Sequence, residues 1–204
     1  MNRNLSLSAL ALAASLALAG CGAAESGSIP APDQPAASSS ASEAAAEHNG
    51  DDVMFAQMMI PHHQQAVEMS DLMLAKPDID PAIAELATQI KEAQAPEIDT
   101  MTGWLEAWGE PLEASEGTEG HDMGSDSMNG MMSSDQMTEL ESAEGTEASE
   151  MFLTQMTAHH EGAVEMAQQE IENGAYPDAI VLAEMIVETQ QAEIEEMNTL
   201  LQGL

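Results

Sequence analysis

Met59-Ile60-Pro61-His62-His63-Gln64-Gln65-Ala66-Val67-Glu68-Met69 returns in the second half of the chain as Met156-Thr157-Ala158-His159-His160-Glu161-Gly162-Ala163-Val164-Glu165-Met166. Four of the six histidines lie in these two copies, which marks a duplicated unit. Within each copy the apolar residues recur at steps of three and four, the period of a helix rather than of a strand. Extended outward, the same period covers residues 51–108 and 149–204. Each stretch is broken once. Lys76-Pro77-Asp78-Ile79-Asp80-Pro81 stops one helix and offers Asp80 as N-cap with Pro81 at the first helical position of the next. Asn173-Gly174 and Tyr176-Pro177 do the same in the second half.

The second helices repeat too. Ile90, Gln94, Glu97, Ile98, Met101 and Leu105 return as Ile186, Gln190, Glu193, Ile194, Met197 and Leu201, with an offset one residue shorter than that of the histidine elements. A single indel in the hairpin turn accounts for the difference. A helical hairpin cannot bury both of its apolar stripes alone, so the pattern predicts an all-α fold: two duplicated hairpins in one antiparallel four-helix bundle spanning residues 51–204. Aromatic residues make up 2% of the chain, so Met, Ala, Leu and Ile must fill its core.

Steps of four and three place Phe55, Met59, His62, Ala66, Met69 and Met73 on one face, and Phe152, Met156, His159, Ala163 and Met166 on its counterpart. His63 and His160 fall on adjoining, mostly apolar stripes. Polar groups on an interior seam cost stability unless they find partners, and here they recur at matched places. The candidate metal ligands are therefore Met59, His62, His63, Met69, Met156, His159, His160 and Met166. Glu97, Met101, Glu193 and Met197 are secondary candidates from the second helices. Pro61 and Pro96 lie inside helices beside candidate ligands, but the second hairpin has no proline at either place, so the shared design does not depend on a kink.

The donor types narrow the metal. Dinuclear iron and manganese bundles use Glu-x-x-His, whereas this chain has Met59-x-x-His62 and Met156-x-x-His159. Thioether in place of carboxylate suits Cu(I), with Ag(I) as its mimic, because both accept sulfur and imidazole at low coordination number. Zinc has little use for thioether, and no calcium-binding loop of EF-hand spacing is present.

Outside the helical stretches, an apolar run from Leu5 to Ala19 follows Arg3 and reads as a cleavable export signal over residues 1–20. Leu18-Ala19-Gly20-Cys21 has the form of a bacterial lipobox, so Cys21, the sole cysteine, is expected to carry a lipid and anchor the exported protein on the extracytoplasmic side. A lone cysteine also rules out an intramolecular disulfide and a thiolate cluster. Residues 21–50, rich in Ala, Ser, Pro and Gly, read as a flexible tether. Residues 109–148 read as a disordered, acidic, Met-rich linker in which His121, Met123, Met131 and Met132 could scavenge the same ion. The net charge is −34, and Lys76 and Lys91 are the only basic residues beyond the signal. Such a surface repels nucleic acid and anionic lipid headgroups, leaving a metal ion as the partner and the lipid anchor as the only membrane contact.

The chain resembles domain-of-unknown-function family 305. The resemblance lies in Asp52-Val53-Met54-Phe55, Met58-Met59-Ile60-Pro61-His62-His63, Ala66-Val67-Glu68-Met69, Phe152-Leu153-Thr154-Gln155-Met156, His159 to Met166, and Gln190-x-x-Glu193-Ile194-x-x-Met197. Ala158 stands where the motif often carries proline. The resemblance implies a ferritin-like bundle and, from some relatives, copper binding and copper resistance in the cell envelope. Three functions follow for testing. The first is a non-enzymatic copper-binding lipoprotein that sequesters or passes on Cu(I). The second is a ferritin-like oxidoreductase with a dinuclear centre at His62, His159, Glu97 and Glu193, and the third a metal-free structural or interaction module. No nucleophile in a recognisable turn and no phosphate loop supports another chemistry.

Overall fold

The computed structural model describes residues 47–113 and 130–204. The signal segment, Cys21, most of the tether, His121 and Met123 lie outside the described residues. Those described are all-helical, with no strand: α1 Gly50–Leu74, α2 Pro81–Trp108, α3 Ser134–Ser142, α4 Gly145–Asn173 and α5 Pro177–Leu201. None of these helices is long and apolar enough to cross a membrane.

Local chemistry sets the helix ends. Asn49 and Asp52 form a capping box at the start of α1, and the Asp80 side chain accepts from the Ala82 N–H at the start of α2. Tyr176 precedes Pro177, whose fixed φ suits the first turn of α5. The paired helices α1/α2 and α4/α5 make two hairpins, and the hairpins meet chiefly through α1 and α4.

Two apolar clusters fill the interior. One holds Phe55, Met59, Met101 and Leu105 with Ala163, Ala167 and Ile186. The other holds Met69, Met73, Leu86 and Ile90 with Phe152, Met156 and Met197. The start of α1 thus packs beside the later part of α4, and the end of α1 beside the earlier part of α4, so the two helices run in opposite directions. Between the clusters lies a polar layer made by the histidine elements.

One end of the molecule is fastened through Asp52, which is fully buried. Its carboxylate accepts from the backbone N–H of Ala175 at 3.0 Å and of Tyr176 at 2.8 Å, tying the start of α1 to the α4–α5 turn. Burial opposes ionisation of Asp52, yet the backbone donors of Asn49, Tyr176 and Ala175, with Glu170, outweigh it and hold the carboxyl below its ordinary value. Glu170 is buried beside it. Burial, then the neighbouring Asp52 carboxylate, pushes the Glu170 pKa up to about 8, so at neutral pH Glu170 keeps its proton. The chain closes over this carboxyl at Gly174, where a Cβ would collide with the Glu170 side chain. At the same end His48 stacks on Trp108, with ring centroids 4.4 Å apart, and Tyr176 stands edge-on to Trp104 and Trp108.

The expectation of a structureless connection over residues 109–148 needs correction. Residues 134–142 form α3, and α4 begins at Gly145 rather than at residue 149. Ser133 and Gln136 make a capping box, Leu140 and Ala143 are buried, and Lys76 donates to the carbonyl oxygens of Glu141 and Ala143 at the helix's open end. A single buried leucine leaves no stripe for periodicity to detect.

Candidate metal centre

The two histidines of each pair have different surroundings. His62 on α1 and His159 on α4 are fully buried and meet across the hairpin interface, with ring centroids 3.7 Å apart and planes tilted by 41°. They are equivalent positions of the duplicated unit. Contact between equivalents places them on an approximate two-fold axis relating the hairpins. His63 and His160 point instead into their own hairpins. His63 Nε2 lies 2.7 Å from Glu97 Oε2, and His160 Nε2 lies 2.6 Å from Glu193 Oε2.

An ionised carboxylate can only accept, so Nε2 carries the hydrogen in both of these pairs. In the neutral ring, Nδ1 then presents a lone pair. For both His63 and His160 that Nδ1 is buried and has no hydrogen-bond partner. A carboxylate on one imidazole nitrogen with the other left as a donor is the arrangement found behind metal-bound histidines. Glu97 and Glu193 are therefore oriented toward imidazole, which the sequence pattern left open.

His159 is more deprived: neither ring nitrogen has a hydrogen-bond partner. Burial, then the neighbouring His62, His160 and His63, hold its pKa well below the ordinary 6.5, while the His62 backbone, too poorly placed for a well-formed hydrogen bond, opposes them only weakly. The ring is neutral at physiological pH and has a lone pair to offer. Gln94 and Gln190, one turn before the two glutamates, are also buried; both amide atoms of Gln94 and the Gln190 oxygen lack partners. Native interiors leave few polar atoms unsatisfied, so a concentration in one layer calls for an explanation such as an ion.

Thioethers flank this layer. Met59 and Met101 lie in one apolar cluster, Met69, Met156 and Met197 in the other, all fully buried. Met166 is only partly buried and packs against the first cluster. The Met197 sulfur accepts from the Thr157 hydroxyl at 3.7 Å. Among the described residues no three His, Cys, Asp or Glu side chains come together closely enough to hold one ion. A third donor in this interior would come from a thioether sulfur or from the amide oxygen of Gln94 or Gln190.

Met131 and Met132 lie apart from the layer, on the segment entering α3. The Gln65 carboxamide donates to the Met132 carbonyl at 2.8 Å and accepts from its N–H at 2.7 Å. Neither this clamp nor the Asp52–Glu170 pair carries a local motif, so neither was foreseen from the residue pattern.

These features define an all-helical protein of two twinned hairpins with a buried His/Glu/Gln layer between methionine-rich clusters. The chain belongs to the DUF305 family, a domain of unknown function whose family model matches residues 52–201. A candidate secreted protein of this family from Streptomyces coelicolor is 35% identical, with 75% of this chain and 91% of that one covered and a TM-score of 0.68. A fragment of a family member from Deinococcus radiodurans is 31% identical over 76% of this chain and 98% of its own, with a TM-score of 0.67. CopM in its Cu(I)-bound form is 31% identical over 74% of this chain and 96% of its own, with a TM-score of 0.61. CopM structures also exist in Cu(II)-bound, Ag-bound and apo forms. No curated protein matches the sequence.

Proposed function

We propose that this chain is a non-enzymatic copper-binding protein that holds Cu(I), with Ag(I) as mimic, through histidine and methionine, for copper sequestration or transfer in the cell envelope. The observation that carries the proposal is the buried layer in which His159 and the Nδ1 atoms of His63 and His160 lack partners, with thioethers above and below. Neutral imidazole and thioether are the donors that soft, closed-shell monovalent cations prefer. The similarity to CopM, known in Cu(I)- and Ag-bound forms, supports the same reading.

The four long helices are taken to form an antiparallel bundle of the ferritin-like kind over residues 51–204, consistent with the opposed directions of α1 and α4. Residues 1–20 are the proposed export signal, Cys21 the lipidated residue and residues 22–50 the tether. A dinuclear oxidoreductase centre at His62, His159, Glu97 and Glu193 has less support, because each glutamate is engaged with the other histidine of its hairpin.

Titration of the purified mature protein with Cu(I) against a competing chelator tests the proposal. A variant combining Met59→Leu, His62→Gln, Met156→Leu and His159→Gln keeps most of the volume and is expected to lose high-affinity Cu(I). Unchanged stoichiometry and affinity in that variant would overturn it, as would a wild-type protein whose melting temperature responds to no metal.

A further inference from the structure

The segment entering α3 is held in place with more care than a spacer requires. Gly130 has φ +84, and its backbone is pressed against the Ala158 carbonyl and the His159 Cα, so that a Cβ there would collide with α4. Two residues on, Gln65 spends both ends of its carboxamide on the Met132 backbone. At the far end of α3, Lys76 donates to the carbonyl oxygens of Glu141 and Ala143. The segment is thereby laid across α4 at the turn that carries His159, and α3 is pinned beside α1.

Between α1 and α3 this docking leaves a cavity of about 380 Å³, open to solvent and lined by Gln65, Glu68, Leu72, Met132, Met137 and Glu141 among others. Met132 and Met137 are partly buried on it, while Glu68 and Glu141 are exposed at its edge. Met132 and Met137 pack against the apolar cluster at the end of α1 and also line the cavity. Sulfur at the wall and negative charge at the rim form a donor set for a soft cation, and the net charge of −34 concentrates cations nearby.

We propose that this cavity is a second, solvent-accessible site for Cu(I) or Ag(I), with Met132 and Met137 as sulfur donors and Glu68 and Glu141 as the carboxylates that draw the ion in. It rests on the copper reading above but is separate from the interior layer. Its accessibility suits it to first capture, and Gly130, two residues before Met132, lies against the helical turn of His159. Movement between them is ligand exchange and needs no change in oxidation state.

The test is titration of the mature protein with Ag(I), read by the methionine methyl resonances and by the number of ions retained. In the wild type the Met132 and Met137 methyl signals are expected to shift. Met132→Leu with Met137→Leu, which removes sulfur at nearly constant volume, is expected to bind one ion fewer while the interior methionines still respond. Glu68→Gln with Glu141→Gln is expected to weaken the outer site, more at low than at high ionic strength, because the attraction of exposed charges is screened by salt. Persistence of the Met132 and Met137 shifts in the Met59, His62, Met156, His159 variant supports two separate sites. Silent Met132 and Met137 signals, with interior signals that shift, overturn the outer site and leave the interior reading standing. A wild type with no response at any methionine overturns both.

Discussion

His62 and His159, equivalent residues of the two hairpins, lie ring to ring with centroids 3.7 Å apart at the fully buried contact of α1 and α4. A packed interior gains nothing from this arrangement that leucine would not supply better. Burial strips the rings of water, and His159 recovers no hydrogen bond in exchange. Retaining His159 at this contact is a stability cost, which binding of an ion in the proposed site would offset.

Exchange of His159 for leucine separates stability from binding. Leucine fills a similar volume without polar nitrogen, so the metal-free protein is expected to gain about 1 kcal/mol, since an unsatisfied buried polar group is removed. Its melting temperature should then rise less on Cu(I) addition than that of the wild type. Differential scanning calorimetry with and without Cu(I) checks both halves, and a leucine variant that is less stable when metal-free would show that His159 is well satisfied where it lies.

The Asp52–Glu170 pair gives a pH dependence of known sign. The folded Glu170 pKa of about 8 stands above its ordinary 4.5, so the folded protein holds this proton more tightly than the unfolded chain. Its contribution is fully present below pH 4.5 and is lost as pH rises toward about 8, by at most about 1.4 kcal/mol per pH unit. His159 acts in the opposite sense, its contribution being lost as pH falls below its ordinary 6.5. Glu170→Gln isolates the carboxyl, because the amide keeps its shape and polarity but does not titrate. The stability of the Gln variant relative to wild type should climb between pH 4.5 and about 8 and then level off. A difference that stays flat across that interval in denaturant titrations would rule out the raised Glu170 pKa.

Glu97 and Glu193 are predicted to act on the metal through His63 and His160. Each accepts from Nε2, which orients the ring and raises the basicity of Nδ1. Glu97→Gln with Glu193→Gln keeps an acceptor but removes the charge, and Cu(I) affinity is expected to fall about 10- to 100-fold with the helical content unchanged. Chelator competition measures the drop. Unaltered affinity would reduce the two glutamates to partners of structural histidines.

Much of this interior was legible in the sequence, for a definite reason. Phe55, Met59, His62, Ala66, Met69 and Met73 share one helical face, and all are buried. Asp80-Pro81 and Tyr176-Pro177 punctuate the chain where helices start. Periodicity gives the face of a helix but not the neighbour it meets, so it could not tell that His62 would face His159 while His63 turned to Glu97. Met166, assigned to the interior by the same stepping, is only half covered, since it falls at the margin of its stripe. Helix α3 escaped because Leu140 is its one buried residue, although the Ser133–Gln136 capping box was a readable signal. Asp52 and Glu170 meet only through tertiary packing, which no local pattern encodes.

The docking of α3 depends on Gly130 and Gln65 in different ways, and the two can be told apart. Alanine at position 130 faces a left-handed φ of +84 and a Cβ clash with the Ala158 carbonyl, so the segment must lift from α4. The backbone strain alone costs about 1–2 kcal/mol for an L residue. Gln65→Ala leaves the backbone path open but strips the Met132 N–H and carbonyl of their partner. Both variants are expected to exchange amide hydrogens faster over residues 130–143, with little change in α2 and α5, which lie away from this contact. Gly130→Ala should show the larger effect, since it opposes docking rather than merely failing to support it. Equal protection of residues 130–143 in wild type and in Gly130→Ala would mean that the chain reaches α3 by a path that does not press on the His159 turn.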